Sequence, residues 1–263
     1  MPRQFHYGTP ASACVRWRLT ARFYCQRRAS IHTEECVFQI GNESLAATKV
    51  FAASDRSPDV IAFHGTGVTA NREKVRYVLD YLAGHGLSSL CFDFSGHGES
   101  TGKMEQATLA IRKREAQAVF DFIHPQAPPV LIGTSMGGFI ASLLAPAIQP
   151  RSLILFCPAA YSAEAMELTF GESFTSAIRK PGAYINSPAF QALSSYRGKL
   201  LIVAAGKDMI IPKDVIGLYA ASAPLAKSKK TIWLEDSDHK IHSWLADHEA
   251  ERASILREVL AAT

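Results

Sequence analysis

The sequence predicts an α/β fold: a mostly parallel central sheet, helices on both faces and a small insertion over one end. Three observations predict it. Short apolar runs without polar alternation recur at 60–63, 87–94, 130–132, 152–157 and 200–205, the pattern of strands buried on both sides. Helical patterns separate these runs, which is how successive strands come to lie parallel. The chain has 263 residues, enough for one sizeable core in a single domain.

Residues 1–33 stand apart. They carry six arginines (Arg3, Arg16, Arg18, Arg22, Arg27, Arg28) and no acid. Such composition occurs in organelle transit peptides. Here, however, Val15, Trp17, Leu19, Ala21 and Phe23 alternate with polar neighbours, a period that suits a strand better than an amphipathic helix. The segment is expected to be a basic extension, poorly ordered and outside the fold, with the domain occupying 34–263.

From there the elements follow in order. Runs at 37–40 and 45–52 flank Gly41-Asn42-Glu43-Ser44, a hairpin turn. The strand at 60–63 ends in His64-Gly65-Thr66-Gly67. A helix follows with Val75, Val78, Leu79 and Leu82 on one face, stopped by Gly84-His85-Gly86. The strand at 87–94 breaks at Ser95-Gly96-His97-Gly98, and a helix through 110–123 leads to the strand at 130–132. Further strands are expected at 152–157, 200–205 and 231–234. Between 158 and 197 the periodicity weakens, with Pro158, Pro181 and Pro188 among scattered aromatics. This stretch is expected to be a lid of about two short helices, roofing a modest apolar pocket outside the strand ends.

Composition narrows the function classes. The net charge of +4 comes from the extension, since the remainder holds 22 basic and 24 acidic residues. A nucleic-acid binder would cluster its charge on the fold itself, so a small-molecule ligand is expected instead. No apolar run approaches the roughly 20 residues of a membrane span. The five cysteines (Cys14, Cys25, Cys36, Cys91, Cys157) form no CxxC pair and no zinc spacing. An odd count without a signal peptide points to a reducing compartment, so a cytoplasmic location is expected.

The chemistry concentrates in Gly133-Thr134-Ser135-Met136-Gly137-Gly138, between the strand at 130–132 and a helix beginning near Phe139. GxSxG is weak alone, but a sharp strand-to-helix reversal holds a serine hydroxyl above the sheet, and the flanking glycines give the turn room. A serine hydroxyl needs a neighbouring base to become a nucleophile. Such partners sit in loops after later strands, acid first and histidine second. Asp208 follows the strand at 200–205, and His239 follows the strand at 231–234. Asp214 is a weaker rival because it falls inside the next helix. His242 rivals His239 but belongs to the following helix, and Asp236 and Asp238 read as solvated loop charges. Two backbone donors should face the developing oxyanion: the N–H of Met136 at the helix start and that of Thr66 in the HGTG turn. His64 is expected to be a structural hydrogen-bonding residue rather than a base.

HGTG, DFSGHGES (residues 93–100), GTSMGG, GKD and the closing DH recur in this order in a known superfamily. Over about residues 36–262 the chain resembles the α/β-hydrolases, closest to the small-lid serine esterase and acylglycerol-lipase-like branch. In that superfamily the segment from Asp93 to Ser100 shapes a loop beside the site. The resemblance implies a serine hydrolase cleaving a small ester or thioester through an acyl-enzyme, with no metal and no cofactor. Acyl transfer, a lyase or perhydrolase reaction on the same three residues, and a non-catalytic ligand-binding protein on this scaffold are the alternatives. Oligomeric state is not readable from the sequence.

Overall fold

In the computed structural model, residues 30–51 and 57–263 are described. The strand-like alternation at 15–23 and most of the basic extension lie outside them. The chain runs β1 (His32–Ile40), β2 (Glu43–Phe51), β3 (Val60–Phe63), α1 (Arg76–Ala83), β4 (Ser89–Phe92), α2 (Leu109–Ile123), β5 (Val130–Thr134) and α3 (Met136–Ile148). It continues through β6 (Ser152–Phe156), α4 (Glu172–Ile178), α5 (Pro188–Leu193), β7 (Lys199–Ala205), α6 (Lys213–Ala221), β8 (Ser228–Leu234), α7 (Ile241–Asp247) and α8 (Glu249–Ala262).

These strands form one sheet in the order β1-β2-β4-β3-β5-β6-β7-β8. The β1–β2 hairpin turns at Gly41, whose φ of 61° suits a residue without Cβ. β2 pairs antiparallel with β4, and every pair from β4 to β8 is parallel. β1 begins at His32, earlier than the apolar run at 37–40 suggests, because its first half is exposed and polar.

Strand pleating divides the core in two. Ile61 and Phe63 of β3 enter one apolar cluster, and Val60 and Ala62 enter the other. The first cluster takes Leu109 of α2, Phe139 of α3, Phe174 of α4, Phe190 of α5 and Val215 of α6. The second takes Val78 of α1, Leu245 of α7 and Ile255 of α8. Helices thus cover both faces, and the predicted stripe of Val75, Val78, Leu79 and Leu82 is buried as a unit. Between β6 and β7, the insertion forms a 3-10 turn (Ala163–Glu167), α4 and α5.

A buried ion pair fixes the ends of β3 and β4, on which the site is built. Arg72 is 6% exposed and Asp93 fully buried. The Arg72 N–H donates to Asp93 Oδ1 at 2.6 Å, and its guanidinium donates to Asp93 Oδ2 and to Glu99. The guanidinium also reaches Thr48 Oγ1 (2.9 Å) and Glu35 Oε2 (3.0 Å) on the hairpin. Gly98, at φ 50°, brings its backbone so close that a Cβ there would lie 2.0 Å from Asp93 Oδ2. The DFSGHGES segment is therefore a loop wrapped around a carboxylate.

Asp93→Ala strips Arg72 of its buried counter-charge, and leaving one partner of such a pair uncompensated costs about 3 kcal/mol or more. A urea melt at pH 7 should show that loss, with Glu99→Ala, exposed at its carboxylate, losing much less.

Candidate functional site

Ser135 joins β5 to α3 with φ 51° and ψ −114°, a conformation that costs a non-glycine residue about 1–3 kcal/mol. The surrounding backbone holds it there. The Ser135 N–H donates to the Phe156 carbonyl (2.9 Å), while its own carbonyl accepts from Gly138, Phe139 and Ala159. The glycines of the motif are required by close approach. A Cβ on Gly133 would lie 2.4 Å from the Gly137 carbonyl oxygen, and one on Gly137 would lie 2.2 Å from that of Phe63. Met136 is the first residue of α3, so its N–H is among those with no acceptor within the helix.

The HGTG turn lies against this elbow. A Cβ on Gly65 would sit 3.3 Å from Ser135 Cβ and 4.0 Å from its Oγ, so the turn passes the hydroxyl at van der Waals distance. Thr66, next in the chain, lines the same cavity as Ser135. His64 takes the structural part expected of it. Its Nδ1 donates to the Gly65 carbonyl (2.6 Å), and its Nε2 accepts from the Phe94 N–H (3.0 Å). Burial, and next the nearby His97, pushes its pKa down to about 3.

Ser135, Asp208 and His239 are brought together. His239 Nε2 lies 3.1 Å from Ser135 Oγ, and Nδ1 lies 2.7 Å from Asp208 Oδ2. A carboxylate accepts, so the imidazole proton sits on Nδ1 and leaves Nε2 to accept from the serine hydroxyl. The other oxygen, Asp208 Oδ1, accepts the N–H groups of Ile210 (2.8 Å) and Ile211 (2.9 Å). Burial raises the Asp208 pKa, but the His239 and backbone hydrogen bonds outweigh it and hold the carboxyl below its usual range. The two loops are tied to one another. Gly206 N–H donates to the Leu234 carbonyl (2.8 Å) and Lys207 N–H to that of Ser237 (2.9 Å).

The rival residues make other contacts. Asp214 lies in α6 and accepts from the Tyr184 hydroxyl at 2.6 Å. Asp236 is exposed and pairs with Lys207, and Asp238 caps the Lys240 N–H (2.9 Å). His242 lies in α7 but does more than fill space: its Nε2 is 2.7 Å from Thr134 Oγ1 and its Nδ1 3.0 Å from the Tyr77 hydroxyl. Burial, and next the charge of Lys74, lowers its pKa to about 4, so it is neutral at pH 7. No motif marks this Tyr77–His242–Thr134 chain, whose members are far apart in sequence.

The insertion does not do what was expected of its aromatics. Tyr161, Phe170, Phe174 and Phe190 are buried in the core. Tyr161 packs edge-on to Phe139 (4.9 Å between ring centres), and Phe170 lies under the Arg112 guanidinium. The cavity of about 470 Å³ beside Ser135 is lined from the HGTG turn, residues 69–75, Ile210 and 239–243, with nothing from 158–197. The aromatics satisfied one another and α3 instead. Ile210 of this lining is exposed, as are Val68 and Met209, which adjoin lining residues in the sequence.

Among the described residues, one group of potential metal ligands lies together: Cys157, Asp208 and His239, with ligand atoms within 4.8 Å. Asp208 and His239 already bond each other. Burial, then the Asp208 charge, pushes the Cys157 thiol well up, so it stays protonated and is a poor ligand.

This fold and site define an α/β-hydrolase. The chain belongs to the family described as serine aminopeptidase, S33, whose profile matches residues 55–193. Among curated proteins it is 26% identical over 117 residues to the mitochondrial palmitoyl-protein thioesterase ABHD10 of Homo sapiens, a match covering 44% of this chain and 38% of that protein's length. It is 27% identical over 166 residues to the uncharacterized protein Rv2307c of Mycobacterium tuberculosis, over 60% of this chain and 55% of the relative. Among solved structures, Est1E from Butyrivibrio proteoclasticus, with ferulic acid bound, superposes with a TM-score of 0.63 at 20% identity, covering 83% of this chain and 99% of that one. The thioesterase domain of the curacin biosynthetic pathway gives 0.62 at 18%, covering 86% and 99%. At these identities the structures speak for the fold alone.

Two buried, neutral histidines make stability depend on pH. The unfolded chain protonates His64 and His242 below about pH 6.5, and the fold resists until about pH 3 and 4. Unfolding therefore takes up protons in this window, so their contribution is full above pH 6.5 and is lost as pH falls toward 4. Unfolding free energies from urea melts at pH 7 and pH 5 should differ by roughly 1–2 kcal/mol per histidine. His242→Gln should flatten the dependence; an unchanged slope would show that His242 is charged in the fold.

Proposed function

We propose that the protein is a serine hydrolase that cleaves a carboxylic ester or thioester through an acyl-enzyme. The observation that carries this reading is the continuous hydrogen-bond chain from Ser135 Oγ through His239 to Asp208. Ser135 Oγ attacks the acyl carbonyl as its proton passes to His239 Nε2. Asp208 fixes the tautomer and stabilises the imidazolium that forms. The N–H groups of Met136 and Thr66 receive the oxyanion, each typically worth about 3 kcal/mol in such sites. His239 then protonates the leaving group, and a water activated by the same nitrogen releases the acid.

The thioester alternative draws support from the ABHD10 relatives, named as palmitoyl-protein thioesterases, and amide cleavage from the family's description. The apolar side chains of the cavity wall, Ala70, Val75, Ile210 and Ile241, suit an aliphatic or aromatic substituent. A cytoplasmic location is part of the proposal, and enrichment with an organelle on cell fractionation would overturn it.

A fluorophosphonate probe should label the purified protein and leave Ser135→Ala unlabelled. His239→Ala should lower kcat/KM by about a thousandfold or more with the fold intact. Matched oxyester, thioester and amide substrates then rank the leaving group. Folded wild-type protein that neither labels nor turns over any of the three would favour a ligand-binding role.

A further inference from the structure

The cavity beside Ser135 carries a charge that the triad does not use. It extends from the hydroxyl between the HGTG turn and α7, and the residues lining it include two exposed lysines, Lys74 and Lys240, and no acidic residue. Asp208, the nearest acid to the reacting groups, lies behind the imidazole with both oxygens engaged by His239, Ile210 and Ile211.

Some surface lysines are paired, Lys180 with Glu164, Lys207 with Asp236 and Lys230 with Glu258, and others, such as Lys103, Lys113 and Lys227, have no carboxylate at that distance among the described residues. Lys74 and Lys240 have none at ion-pair distance among the described residues. Glu73 adjoins Lys74 in sequence, yet its carboxylate turns to Arg72 and Arg76. Lys74 is close enough for its charge to be felt at His242, which is bonded to Thr134 immediately before Ser135. Asn71, also in the lining, holds a buried Oδ1 with no hydrogen-bond partner, an acceptor open to an N–H or O–H group on the same ligand.

We infer that this cavity selects substrates bearing an anionic group, a carboxylate or phosphate, held by Lys74 and Lys240 while the acyl carbonyl lies at Ser135. The inference rests on the serine-hydrolase reading for its orientation, though not for the binding of the anion. Unpaired cations lining a concave wall raise the local concentration of anions and orient them.

Two isosteric pairs test it. Mono-4-nitrophenyl glutarate against 4-nitrophenyl valerate places the charge on the acyl side; 4-acetoxybenzoate against 4-acetoxybenzamide places it on the leaving group. In at least one pair, kcat/KM should favour the anion by about fivefold, the scale of a partly exposed charge contact. Lys74→Met and Lys240→Met should each reduce that ratio, whereas Lys74→Arg should retain it, and added salt should weaken it. Ratios at or below one in both pairs, or ratios indifferent to both methionine variants, overturn the inference. If wild-type protein hydrolyses nothing, the serine-hydrolase reading has failed separately. Calorimetry of Ser135→Ala with 4-acetoxybenzoate and 4-acetoxybenzamide then decides the anion site. Tighter binding of the benzoate that is lost in Ser135→Ala/Lys74→Met upholds the site, and equal binding of the two compounds rejects it.

Discussion

The reversal of the chain at Ser135 constrains everything near it. A residue with a side chain sits at φ 51°, and relaxing that angle would swing the hydroxyl off the rim of the sheet. Carbonyl and amide groups from β6, from α3 and from the start of the insertion close on Ser135 from several sides. They hold the serine only because Gly133 and Gly137 let three backbone segments pass within a distance no Cβ tolerates. The strain is thus maintained by packing that extends to β3 and α3. That also sets the position of the Met136 N–H, since the same turn that lifts the hydroxyl begins the helix.

A second constraint matches the base to its acid. The loops after β7 and β8 could each drift by an ångström, enough to lengthen a 2.7 Å contact beyond use. They are paired by backbone bonds from Gly206 and Lys207 to the opposite loop. A Cβ on Gly206 would lie 2.4 Å from the Glu235 carbonyl oxygen, so glycine there permits the two loops to touch. Asp208 and His239 are therefore positioned by one small structure before any side-chain hydrogen bond forms.

Local signals made most of this legible in the sequence. The strand at 130–132, the glycines around Ser135 and the acid and histidine after later strands each report on a short stretch of chain, and the fold joins them by known topology. Three things were not legible. β1 starts at His32 because edge strands need no apolar period, so its exposed half looked like extension. The Tyr77–His242–Thr134 chain depends on α1, α7 and β5 meeting in space, which no local pattern reports. The insertion's aromatics carried no periodicity, and without it a ring bound for the core reads the same as a ring bound for a pocket. Burial of Tyr161, Phe170, Phe174 and Phe190 left the cavity to other elements.

That displacement changes what the site can recognise. Had the insertion supplied the wall, rings would surround the acyl group and selection would follow apolar area. The wall instead comes from the stretch after the HGTG turn and from the start of α7, both rich in hydroxyl, amide and ammonium groups. Apolar contact within comes from Ala70, Val75, Ile210 and Ile241. Beside those apolar side chains, the polar groups of such a wall add discrimination by charge and hydrogen bonding, where leaving a polar group unpaired costs more than losing a methylene. His242 fits the same logic. Kept neutral beside Lys74 at pH 7, it adds no positive charge of its own, so the charge proposed for the cavity rests on the two lysines.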